Sequence, residues 1–247
     1  MTVSRGRARI GVLVPFTNTN LEPDLSLMCP RGISMHIARI GGYDADETPD
    51  ERQMQGLGSA ALDEPLRLLM GARPDLVIYG CTSATLTHGS AFDRALADRI
   101  RAASGAQTVT AAGALVAALR QVGAAHVGFA SPYVRQINDM AVDFLASEGV
   151  TVLARSEVGA ALSNTGQGAM SPDEVLALGQ AADHPKAEAI VLSCTDMRSA
   201  EIAARLETVV GKPVITSNQA SLFAALKGLS IPDKITGFGR LLEIDRC

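Results

Sequence analysis

A chain of 247 residues, 47% hydrophobic and 19% charged, can bury a substantial core as one large domain or two small ones; a disordered or fibrous protein is excluded. No apolar run approaches the ~20 residues that span a bilayer, so the chain reads as globular and soluble, with no membrane partner. A net charge of −4 and the lack of a Lys/Arg cluster argue against a nucleic-acid partner and leave a small molecule as the expected ligand.

The N-terminal MTVSRGRARIGVLVPF sets basic residues before an apolar segment. That segment soon reaches Pro15 and lacks a small-residue cleavage site, so RIGVLVPF (9–16) reads as a first strand and the protein as cytoplasmic. MHIARI is strand-like, 55–70 helix-like, DLVIYG a strand, 90–103 helix-like, QTVTA a strand and ALVAALRQVG a helix. Such alternation signals βα units, hence an α/β fold of parallel sheets flanked by helices. With 4% aromatic residues and no Trp, the core must be packed mainly by Ala, Val, Leu and Ile.

The chain then repeats itself. RIGVLVPF (9–16) matches HVGFASPY (126–133), each with Gly third and Pro before an aromatic at the end. PDLVIYGCTSAT (74–85) matches AEAIVLSCTDMR (187–198), and GAQTVTAAGALVAAL (105–119) matches GKPVITSNQASLFAAL (211–226). The matches keep their order, which predicts two pseudo-symmetric lobes. The division expected is 1–112 with 219–247 in one lobe and 113–218 in the other. In open α/β sheets ligands bind beyond the carboxyl ends of the strands, so the cleft between the lobes is the expected site, with Asn18 and Cys81 facing Tyr133 and Cys194.

A lone cysteine at a strand end reads as core, but two at equivalent points of a repeat read as a site. The turn into a following helix would offer N–H groups that favour an anion and lower a thiol pKa from about 8.5. CTS and CTD thus supply thiols at Cys81 and Cys194 and hydroxyls at Thr82, Ser83 and Thr195. Asn18, in FTNTNLEPD, either caps the next helix or donates to a ligand carboxylate. Tyr133 follows a Pro at the matching place in the second half, and Asn164 lies in the Gly-rich LSNTGQG, where it reads first as a turn residue. His126 and His184 read as surface residues and His36 as part of a strand; only His88, seven residues after Cys81, is placed to approach the site. Cys29 and Cys247 complete a set without metal-type spacing, which reads as reduced thiols. No HExxH, GxSxG or GxxxxGK[ST] occurs, and the GFG of the tail is too sparse for a phosphate loop, so neither metal nor cofactor is expected.

From VPFTNTNLEPD through GCTSAT, ASPY and LSNTG to LSCTD and GFGRLL, the chain resembles the Asp/Glu racemase superfamily and, within it, the maleate isomerase and arylmalonate decarboxylase branch. The resemblance to maleate isomerases implies a cofactor-free isomerisation of a small dicarboxylate. Cys81 would add to the double bond and Cys194 would act as acid and base, with Asn18, Thr82, Ser83, Tyr133, Asn164 and Thr195 binding substrate. Arylmalonate decarboxylases have Gly where Cys81 stands, although GFGRLL and HGSAFDRAL look closer to them. A two-thiol amino-acid or hydantoin racemase and a decarboxylase of malonate-like acids are the alternatives. A two-lobed binding protein without enzymatic activity is a third, but it gains nothing from paired thiols. A homodimer or homotetramer is expected, since symmetric assembly is common.

Overall fold

The computed structural model describes residues 6–42, 45–60 and 62–245; Cys247 lies outside them. The first half runs β1 (Ala8–Pro15), α1 (Leu21–Met28), β2 (Ile33–Ile40), α2 (Glu51–Ser59), α3 (Asp63–Met70), β3 (Leu76–Tyr79), α4 (Ser83–Leu86), α5 (Ser90–Ser104), β4 (Gln107–Thr110) and α6 (Ala111–Gln121). The second runs β5 (His126–Ser131), α7 (Arg135–Ser147), β6 (Thr151–Glu157), α8 (Asn164–Gly168), α9 (Pro172–Ala181), β7 (Ala189–Leu192), α10 (Ala203–Val210), β8 (Val214–Thr216) and α11 (Ser217–Gly228).

Each half builds a four-stranded, all-parallel sheet, in the orders β2-β1-β3-β4 and β6-β5-β7-β8. The order is the same in both, as the repeat requires. The central strands β3 and β7 are buried along their whole length, which is why LVIY and AIVL are continuously apolar rather than alternating. The edge strands β2 and β6 are half-exposed and carry the polar residues.

The glycine shared by the third positions of 9–16 and 126–133 has a packing cause. A Cβ at Gly128 would lie 2.0 Å from the carbonyl oxygen of Ala182, just beyond α9, and one at Gly11 would press on Leu69 of α3 at 3.0 Å. A helix or its end sits directly on the strand at both places; at Gly128 only Gly leaves room, and at Gly11 a side chain would force Leu69 aside.

The helix expected over 55–70 is two helices. Pro65 lies in the first turn of α3, where its missing N–H costs nothing; inside a continuous helix it would clash with a carbonyl one turn earlier. The break frees α2 to lie across the cleft. Helices α6 and α11 pack on each other between the sheets, and α11 is buried on nearly every side. Among the described residues, no helix is long and apolar enough to cross a membrane, and no group of three or more His, Cys, Asp or Glu could hold a metal ion.

Candidate active site

β3 ends at Tyr79, and Gly80 then carries the chain so close to Leu21 that a Cβ there would sit 2.3 Å from its side chain. Cys81 follows, and the backbone turns at Thr82 into α4, so that the N–H groups of Ser83 and Ala84 bond the Cys81 sulfur. In the second half β7 ends at Leu192, Ser193 replaces the glycine, and Cys194 follows. Both thiols are 95% buried and line one enclosed cavity.

Asn18, Ser83, Tyr133, Asn164 and Thr195 also line it. The Asn18 side chain is both cap and bridge. Its oxygen accepts from the N–H groups of Asn20 (3.1 Å) and Leu21 (2.9 Å) at the start of α1, while its Nδ2 donates to Thr195 Oγ1 at 3.1 Å. Thr195 in turn donates to the Gly80 carbonyl at 3.0 Å, a link from the second thiol turn to the first. The Tyr133 hydroxyl contacts both Cys194 and Ser83, and its backbone carbonyl is held by Asn138 Nδ2 at 3.0 Å. Asn164 begins α8, and its side chain donates to the Glu47 carbonyl (3.0 Å) and to Gln53 Oε1 (2.8 Å), tying the loop before α2, and α2 itself, to the second half. Thr82 does not line the cavity: it is buried and donates to Ser217 Oγ at 2.9 Å, at the head of α11.

Sequence reasoning missed Thr17, Pro49, Met54, Gln167 and Asp196, all of which line the cavity. Gln167 Oε1 lies 3.7 Å from Cys194 Sγ, and Ser83 Oγ donates to Met54 Sδ at 3.0 Å. Gln167 follows Asn164 by three residues on one helical turn, a spacing that could have flagged it. Nothing local marks Met54. His88 does not reach the cavity; its ring stacks on Phe92 at 3.8 Å between centroids and its Nε2 lies 3.0 Å from the Gln55 carbonyl.

The thiols differ from expectation in one respect. Burial pushes both above the ordinary cysteine range, because exclusion of water outweighs the N–H groups that favour the thiolate. After Cys194 no helix follows until α10; only the Asp196 N–H reaches the sulfur, at 3.3 Å. None of the described lining residues is Arg, Lys or His, and the cavity itself is about 30 Å³, room for a water or two. Larger hollows of about 420 and 560 Å³ on the outer faces hold neither thiol.

This arrangement can do thiol chemistry on a small anion held by neutral N–H and O–H donors. The chain is 28% identical over 253 residues to a maleate isomerase of Nocardia farcinica, covering 97% of each, and 28% identical over 240 residues to an arylmalonate decarboxylase of Bordetella bronchiseptica, covering 94% of this chain and 92% of that one. It superposes with a TM-score of 0.87, at 25% identity and over 96% of this chain and 98% of that one, on a cysteine-to-serine variant of the N. farcinica maleate cis-trans isomerase solved with a covalently bound succinylcysteine intermediate. The arylmalonate decarboxylase family model matches residues 10–242, nearly the whole chain, and the protein belongs to that family.

Proposed function

We propose that this protein isomerises a small cis-unsaturated dicarboxylate, of the maleate-to-fumarate type, with Cys81 as nucleophile and Cys194 as acid and base. The observation that supports it best is the pair of buried thiols on one enclosed cavity, in a chain similar along its length to maleate isomerases.

Burial holds the resting thiols neutral, so Cys81 must pass its proton to a carboxylate of the entering substrate or to the water it displaces, and takes it back when the C–S bond breaks. Its sulfur then bonds to one alkene carbon, and the π pair passes to the neighbouring carbon and its carboxylate. Cys194 gives that carbon its proton. The former double bond is now single and rotates; Cys194 takes a proton back, the C–S bond breaks, and the electron pair of the C–H bond restores the alkene in its trans form. No atom or electron is gained or lost overall. Charge on the carboxylate in the enediolate is met by the second Nδ2 hydrogen of Asn18 and by the Tyr133 hydroxyl; Ser83 and Asn164 join them as donors once their protons leave Met54 and Glu47 with Gln53. Thr195 and Thr82 have their hydroxyl protons engaged with Gly80 and Ser217, so they act by holding the two turns in place. With about 30 Å³ free, less than a four-carbon diacid fills, lining side chains such as Met54 and Pro49 must shift on binding.

Proton NMR of maleate incubated with the protein is expected to show fumarate, and mass spectrometry of acid-quenched protein a succinyl adduct on Cys81. Turnover with no adduct would favour proton transfer by two thiols, as in a racemase. The family model favours a second reading, decarboxylation of a malonate-like acid; release of CO2 from an arylmalonate, with maleate left unchanged, would establish it instead. We further propose a symmetric dimer or tetramer in the cytoplasm that needs no added cofactor, to be checked by light scattering and by activity after exhaustive chelation.

A further inference from the structure

The two thiol turns occupy equivalent places in the repeat, yet the residue two beyond the cysteine is Ser83 in one and Asp196 in the other. Asp196 is 7% exposed and lines the cavity. Its Oδ1 accepts four hydrogen bonds from the loop that carries Asn18: the N–H (2.8 Å) and hydroxyl (3.5 Å) of Thr19 and the N–H (3.1 Å) and Nδ2 (2.9 Å) of Asn20. Its own N–H donates to Cys194 Sγ. One side chain thus fastens the first loop of one half to the cysteine of the other and sets a carboxylate beside that sulfur. Ser83 sets only a hydroxyl beside Cys81, 3.7 Å from its sulfur, where two backbone N–H groups also point.

We propose that Asp196 is a positioning residue that clasps the Asn18 loop onto the Cys194 turn and, through its charge, keeps the proton on Cys194, leaving Cys81 as the thiol that ionises. The CTS/CTD difference thereby breaks the symmetry of the repeat and divides the labour between two otherwise equivalent cysteines. The titratable groups facing Cys194 are Asp196 on its own turn, Tyr133 from the loop after β5 and Cys81 across the cavity. Only Asp196 carries a full charge near neutral pH. The groups that reach Asp196 from the first half, Thr19 and Asn20, are uncharged and compensate it by hydrogen bonds alone.

The assignment rests on Cys194 serving as the acid, but its test needs no substrate, so its failure and that of the isomerase reading are separable. Iodoacetamide alkylation followed cysteine by cysteine by peptide mass spectrometry, from pH 6 to pH 11, gives each thiol its own pH profile. In the unaltered protein, Cys81 is expected to react at lower pH than Cys194. In Asp196→Asn, which keeps an oxygen for the four donors and removes the charge, the Cys194 profile is expected to move to lower pH by about one unit, roughly tenfold in rate at fixed pH, and that of Cys81 by less than half as much. A Cys194 profile that stays put, one that moves no more than that of Cys81, or Cys194 leading Cys81 in the unaltered protein would overturn the proposal. Should Asp196→Asn fail to fold, Ser83→Asp carries the same test in reverse: the Cys81 profile is expected to move to higher pH, and its staying put would count against the role given to the charge.

Discussion

The Cys81 and Cys194 turns begin alike and are held differently. Cys81 leads into the helical turn α4, whose own N–H groups meet the sulfur, and its side-chain links are hydroxyl to hydroxyl or hydroxyl to thioether: Thr82 to Ser217 and Ser83 to Met54. The Cys194 turn has no such helix and is joined to the other half by two carboxylates, one from each side. Asp196 accepts from Thr19 and Asn20, and Asp24 of α1 reaches the other way, its Oδ2 accepting from Ser199 Oγ (3.2 Å), the Ala200 N–H (3.1 Å) and Asn218 Nδ2 (2.8 Å). Equivalent strands therefore present one thiol in a local, neutral cradle and the other in a charged clamp that spans the cleft. A repeated sequence fixes where two groups stand, while the residues just beyond it decide what each can do.

The cysteines themselves test that contrast most severely. Cys81→Ser is expected to lower turnover by at least ~10³-fold and to abolish the covalent adduct, whereas Cys194→Ser should lower turnover comparably yet still form the adduct. If both variants lose the adduct, the division of labour is wrong. Next in size is the clamp. Asp24→Ala strands three buried donors at the junction of the halves and should cost about 3 kcal/mol, or roughly 6–12 °C in melting temperature, with activity per folded molecule reduced as well.

The clamp also carries a pH signature. Burial pushes Asp196 up to about 6, above its value in the unfolded chain, so the folded protein holds the proton more tightly. The stability this confers is complete below about pH 4 and lost as pH rises through 6. Asp196→Asn is neutral at every pH; denaturant titrations should find it close to the unaltered protein at pH 4 and more stable at pH 7, by up to about 3 kcal/mol. A gap that does not vary with pH would mean that the charge is not buried at a cost. The smallest effect is expected at the other turn, where Thr82→Val removes a single hydroxyl pair and should cost about 1 kcal/mol, leaving the Cys194 alkylation profile where it was.

The strands other than β6, their parallel arrangement and the two-lobed repeat were legible because each rests on local pattern: continuous apolar runs for β3 and β7, and a glycine at the same place of β1 and β5, where a helix or its end presses on the strand. The cysteines were legible because they recur at equivalent strand ends. Asn18 and Tyr133 follow the neighbouring strands β1 and β5, Asn164 begins α8 rather than a turn, and all three lie on the cavity. Met54 was not legible, since it reaches the cavity only when α2 and α8 are brought together by the Asn164 contacts with Glu47 and Gln53, more than a hundred residues back along the chain, whereas Gln167, three residues after Asn164, had a spacing that could have marked it. Nor was the break in the helix-like stretch read from Pro65, although its chemistry was on view.

What the sequence determined by itself is the α/β repeat and the placing of one thiol at the same strand end in each half, because strand, turn and helix preferences act over a few residues. Only the tertiary structure decided that both thiols are neutral at rest, that Thr82 turns away from the cavity while Asp196 joins it, and that the two cysteines are unequal. Those properties depend on how completely water is excluded and on which charges and N–H groups lie within about 4 Å of a sulfur or a carboxylate. Distances of that kind, between residues some 175 positions apart such as Thr19 and Asp196, exist only once the halves have closed on each other.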